Sequence, residues 1–132
     1  MKKFYINVAM GTGANIALAS ILTKIKEDHP GEYWFAVMSP YSDVFECCKA
    51  VDVVYKPQEA RDFIMDSNSD EGAELVMHRP YDLDGFIKKE LNYQSAWYKL
   101  LHIEDEAPKV MDVKAVFDTS KFNQAAVAKN VL

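Results

Sequence analysis

The chain has 132 residues, 49% of them hydrophobic and 27% charged, which is enough to bury the core of one domain without disulfide or metal staples. The net charge of −5 excludes nucleic acid as a partner, because neutralising a phosphate backbone takes clustered Lys and Arg. No stretch is long and apolar enough to span a bilayer, so any membrane association is at most peripheral. Lys2 and Lys3 precede an apolar run, but Asn7 and two glycines interrupt it, unlike a secretory signal. Cys47 and Cys48 are adjacent in what reads as a helix, where a bridge between neighbours is strained and spaced metal-ligand partners are lacking. They read as reduced thiols of a cytoplasmic protein.

In chain order, β-type runs alternate with helical patterns. Phe4 to Ala9 is the first strand, and it empties into Met10-Gly11-Thr12-Gly13 before a helix over Ile16 to Glu27. That helix places Leu18, Ala19, Ile21, Leu22 and Ile25 on one face and stops at His29-Pro30-Gly31. Tyr33 to Met38 is the second strand, after which Ser39 to Asp43 supplies a cap for a short helix through Ala50. Val51 to Tyr55 is the third strand, Pro57 opens a helix to about Met65, and Ser67 to Gly72 reads as an exposed loop before a fourth strand, Glu74 to Met77. Beyond Arg79 the chain turns helical and aromatic, with Phe86, Ile87, Leu91, Tyr93, Trp97, Tyr98, Leu100 and Leu101. Val110 to Phe117 reads as a last strand and Thr119 to Leu132 as a helix capped by Thr119 or Ser120. The alternation predicts an α/β fold, a Rossmann-like three-layer sandwich with a mostly parallel sheet.

In such sheets ligands gather beyond the carboxyl ends of the strands, which singles out four loops: Met10 to Asn15, Ser39 to Asp43, Lys56 to Glu59, and His78 to Asp84. Gly11 and Gly13 permit positive φ and close approach of a ligand, and the helix behind them aims unsatisfied N–H groups at the turn. A third glycine of the dinucleotide fingerprint would fall at Ile16, and no phosphate-loop Lys follows. The last loop gathers an imidazole, a guanidinium, a phenol and carboxylates suited to sugar hydroxyls or phosphate, so Asn15, His78, Arg79 and Asp82 join the glycines as candidate sugar contacts. The bland reading of the same loop is a solvated turn in which Asp82 or Asp84 caps the next helix. His29 and His102 lie at helix ends, where capping carbonyls is the ordinary role.

Taken together, Gly11-Thr12-Gly13 before an Ile-Leu helix, Lys24-Ile-Lys-Glu-Asp-His-Pro30 at its end, Tyr33-Trp-Phe-Ala-Val-Met-Ser-Pro-Tyr41 and Val51-Asp-Val-Val-Tyr55 resemble the N-terminal half of the ADP-heptose:lipopolysaccharide heptosyltransferase family. The resemblance is best over 3–55 and looser over 79–104. It implies residues 1–117 as the acceptor-side domain of a two-domain GT-B glycosyltransferase, and 118–132 as a C-terminal helix or the start of a linker to a second domain. In that family the turn reads Gly-x-Gly-Asp, the aspartate being the base that deprotonates the acceptor hydroxyl, with a proline six residues on. Here those positions are Ala14 and Ser20, and an alanine accepts no proton. The family's second domain supplies most of the sugar-nucleotide site, so this half is expected to be inactive alone, with a sugar or glycan acceptor as partner. A nucleotide sugar enters as donor substrate only if a second domain is present, and no other cofactor or metal is expected.

Two further readings stand beside this one. A non-catalytic interaction or inhibitor module is suggested by Ala14 and by Trp97-Tyr98, since aromatic side chains dominate interface hot spots, unless both prove buried in the monomer. A small nucleotide-binding sensor would need an acid for ribose after the second strand, where Met38-Ser39-Pro40 offers none.

Overall fold

The computed structural model describes residues 1–8, 11–77, 79, 83, 88 and 92–109. Its first apolar run forms β1 (Lys2–Asn7), followed by α1 (Thr12–Asp28), β2 (Tyr33–Met38), α2 (Ser42–Glu46) and β3 (Val53–Tyr55). A 3₁₀ turn (Pro57–Glu59) leads into α3 (Ala60–Ser69), and β4 (Glu74–Val76) and α4 (Tyr93–Leu100) complete the described elements. The four strands make one all-parallel sheet in the order β3-β2-β1-β4, a Rossmann-like arrangement. The predicted strand at Val110 to Phe117, the helix at Thr119 to Leu132, and Phe86, Ile87 and Leu91 lie outside the described residues.

Strand alternation sorts the core into two layers. Phe4, Ile6, Phe35 and Val37 bury against Leu18, Ile21, Leu22 and Ile25 of α1, Phe45 of α2, and Trp97 and Tyr98 of α4. On the other face Tyr5, Ala36 and Tyr55 close around Phe63 of α3. A right-handed crossover demands this division, because β1→β2→β3 steps one way along the sheet and β3→β4 steps back across it. Each of the large side chains that is fully buried, Trp97, Phe35, Phe45 and Phe63 among them, contributes on the order of 1.5–3 kcal/mol of transfer free energy. Trp97 at 0% and Tyr98 at 3% exposure are core residues, so these two aromatic side chains pack inward instead of offering an interaction surface.

Several local expectations are corrected. Residues 67–69 are helical: Ser67 is buried with its hydroxyl donating to the Ile64 carbonyl at 2.8 Å, and Ser69 donates to Met65 O at 3.0 Å. Back-bonding satisfies these hydroxyls inside the helix, which then ends at Asp70. α2 stops at Glu46, so both cysteines lie just beyond it, buried and unbridged. Ser39 does not cap α2; its oxygen instead accepts the Tyr41 N–H at 2.9 Å. Among the described residues no helix is long and apolar enough to cross a membrane.

Candidate functional site

The sheet order makes β1 a pivot: the chain leaves it toward β2 and β3, then returns to place β4 on its other side. The topological switch point therefore lies between β1 and β4, and beyond the carboxyl ends of the strands at such a point is where open α/β sheets bind ligands. Ile6 pairs with Val76, so the carboxyl ends of the strands that precede Gly11 and Arg79 in the chain are neighbours in the sheet. The segments that follow them are two of the loops that the sequence singled out. Arg79 is exposed; His78 and Asp82 lie outside the described residues.

Gly11 is the N-cap of α1, at φ −70° and ψ 173°, and Gly13 lies in the first helical turn. Positive φ among the described glycines belongs to Gly31 at 75° and Gly72 at 82°, so the left-handed backbone that Gly11 and Gly13 permit is not used there. A Cβ on Gly11 or Gly13 would meet no described atom within 4 Å. Neither conformation nor packing against the described residues calls for glycine there. Gly11 provides no side-chain acceptor and the first turn of α1 holds no acidic residue, so the partial positive charge of the helix terminus is not offset by a carboxylate of its own turn.

The turn is held from beneath. Asn15 is fully buried; its Nδ2 donates to the Gly11 carbonyl at 2.8 Å, and its Oδ1 accepts the Ser39 hydroxyl proton. The short amide thus ties the β1–α1 turn to the β2–α2 loop. In this arrangement Asn15 positions the turn; as a direct sugar contact it would have to leave these partners. Tyr93 of α4 donates its hydroxyl to the Ala14 carbonyl at 2.9 Å, a third brace. Ser39 and Tyr93 were not read as parts of the turn, and the signal that could have found Ser39 is register: parallel pairing sets Met38 opposite Asn7, so Ser39 emerges level with the turn.

On the far face, α3 presents carboxylates to the phenols of the sheet. Tyr5 donates to Asp70 at 3.0 Å and Tyr55 to Asp66 at 2.6 Å. Burial and then these carboxylates push the Tyr5 hydroxyl up to about 12 and raise that of Tyr55 further. Both stay neutral donors, so this face is structural. Among the described residues no group of three or more His, Cys, Asp or Glu is arranged to hold a metal ion. The chain matches no protein-family model, no curated protein and no solved structure.

Proposed function

We propose that the chain binds a sugar or glycan at the carboxyl end of its sheet, as the acceptor-side domain of a glycosyltransferase resembling the heptosyltransferases, and does not catalyse transfer by itself. The observation that carries this reading is the coincidence of the switch point with the glycine turn. The first turn of α1 follows β1 and Arg79 follows β4, and these two strands are paired neighbours on either side of that point. Backbone N–H groups and a guanidinium suit hydroxyls and phosphate. The braces from Asn15, Ser39 and Tyr93 lower the ordering cost of binding. The absence of catalysis rests on Ala14, which stands in the first turn of α1 where the family has its base. Donor chemistry, in this reading, belongs to a second domain that would bind the nucleotide sugar. The competing interaction-module reading loses its aromatic argument, because Trp97 and Tyr98 are core.

Titration of glucose, maltose and glucose 1-phosphate into isotope-labelled protein, with inorganic phosphate as control, tests the placement. Weak binding should move the amide signals of Gly11, Gly13 and Arg79, and Arg79→Ala should weaken it about tenfold, near 1.4 kcal/mol. Shifts elsewhere, or an affinity indifferent to Arg79→Ala, would overturn it.

A further inference from the structure

Beyond α4, residues 101–105 form a strap across the amino end of the sheet, and the chain then runs back along α4 to Lys109, whose carbonyl accepts the Gln94 side-chain N–H at 3.4 Å. Leu101 and Ile103 are buried, and the Ile103 amide donates to Tyr98 O at 2.9 Å. Two side-chain contacts between imidazole and carboxylate fasten the strap to other elements. His102 Nε2 lies 2.8 Å from Glu74 Oε1 beside β4, and Asp105 Oδ2 meets His29 Nε2 at the end of α1.

His29 is engaged on both ring nitrogens. Its Nδ1 lies 2.8 Å from Glu32 Oε2 while Nε2 holds Asp105. An ionised carboxylate only accepts, and a neutral imidazole has a single N–H, so the two contacts coexist only on the doubly protonated ring. When one proton leaves, the remaining N–H must choose. Glu32 is held beside His29 by the turn they share, its N–H donating to the His29 carbonyl at 3.2 Å, whereas Asp105 is carried by the strap, so the partner within the turn keeps the bond.

The surroundings favour the charged ring. On its own side stand Asp28 and Glu32, and β2 contributes the Tyr33 ring, edge-on at a centroid distance of 5.6 Å. Lys2 of β1 and His102 and Glu104 of the strap line the same cavity of about 300 Å³. From α4, the Tyr98 hydroxyl is pushed up to about 12 by burial, then by Asp28 and Asp105, and so stays neutral. The His29 pKa is raised, first by the hydrogen bond to Asp105; partial burial opposes this, and the bond to Glu32 adds to it.

We propose that residues 101–105 are a pH-set clasp: with His29 doubly protonated the strap is fastened to the end of α1, and loss of one proton releases Asp105. Release uncovers the Tyr33 and Tyr98 rings and the apolar side chains of Leu101 and Ile103. Because the clasped imidazole binds its proton more tightly than the open one, the clasp is fully closed below the ordinary histidine pKa and loosens as pH rises through the raised value. His102, at φ 57°, supplies a control, since glycine suits that left-handed backbone but lacks the Glu74 contact.

The test is a two-dimensional NMR titration of the full chain between pH 5 and 9, reading the imidazole nitrogens and the amides of residues 103–105. Both His29 nitrogens should be protonated at low pH, the ring should titrate above 6.5, and the strap amides should follow with the same midpoint. Protection of the Ile103 amide from hydrogen exchange, corrected for intrinsic chemistry, should fall about tenfold for every pH unit by which the clasped pKa exceeds 6.5. Asp105→Asn should lower the His29 midpoint and abolish the response of the strap, and His102→Gly should leave both in place. Strap amides that ignore the His29 titration in the unsubstituted chain, or an unchanged midpoint in Asp105→Asn, would overturn the proposal. Should Asp105→Asn fail to fold, the titration of the unsubstituted chain decides alone.

Discussion

Asn15→Ala puts the brace beneath the glycine turn to a direct test. The substitution removes two hydrogen bonds, Nδ2 to Gly11 O at 2.8 Å and the Ser39 hydroxyl to Oδ1, each worth about 1 kcal/mol net. The Gly11 carbonyl keeps the helical Asn15 N–H at 3.1 Å, and Ser39 keeps the Tyr41 N–H at 2.9 Å. What Ser39 loses is the acceptor for its own proton, and at 0% exposure water does not replace it, which adds about 1 kcal/mol or more. The expected total is about 2–4 kcal/mol, a large share of the 5–15 kcal/mol typical of a domain. Urea unfolding followed by far-UV circular dichroism and by the fluorescence of Trp34 and Trp97 measures it, with constant m supporting a two-state comparison. Ser39→Ala in the Asn15→Ala background removes the orphaned hydroxyl and should therefore cost less than in the parent, a coupling of about 1–2 kcal/mol. A loss below about 0.5 kcal/mol, or strict additivity of the pair, would refute the brace.

Gly13→Ala should stabilise the chain by about 0.5 kcal/mol, since its helical backbone is ordinary and the space around it is open; the same variant should weaken sugar binding if the switch point is the site. Gly31→Ala should instead cost about 1–2 kcal/mol, because φ there is 75°, and thermal melts of the two variants should move in opposite directions. Alkaline titration at 295 nm should show that, of the seven tyrosines, Tyr5, Tyr55 and Tyr98 keep their protons past pH 11. Above pH 10 the unfolded chain loses phenolic protons that the native state retains, so stability should fall as pH rises from 10 toward 12; ionisation of all seven near pH 10 with native dichroism intact would contradict this.

The elements that the sequence made legible are those whose signal is local. The period of α1, with Leu18, Leu22 and Ile25 on one face, and the β-rich run Tyr33 to Met38 needed no knowledge of partners. Where the reading failed, a distant or unconventional partner decided. Ser67 and Ser69 look like loop residues until their hydroxyls find carbonyls of their own helix. His29 does stand at the end of α1, as its C-cap, but its ring and that of His102 also meet carboxylates far away in the chain, Asp105 and Glu74. That Ser39 rises beside Asn15 follows only from the parallel register. The candidate site was thus legible as a set of loops but not as an internal network, because which loops adjoin follows from strand order.

The two ends of the sheet are built on opposite principles. At the amino end, polar side chains are matched to one another: His29 to Glu32 and Asp105, His102 to Glu74, Lys3 to Asp70 at 3.2 Å. At the carboxyl end, a stiffly braced helix start presents Gly13 where alanine would hold the helix better, with neither positive φ nor a packed neighbour among the described residues to explain it. A locally unfavourable residue at a rigid position, on the switch point of a parallel sheet, is where a fold gives up stability for close approach. Gly13→Ala separates the two contributions, because the backbone should gain what the ligand loses.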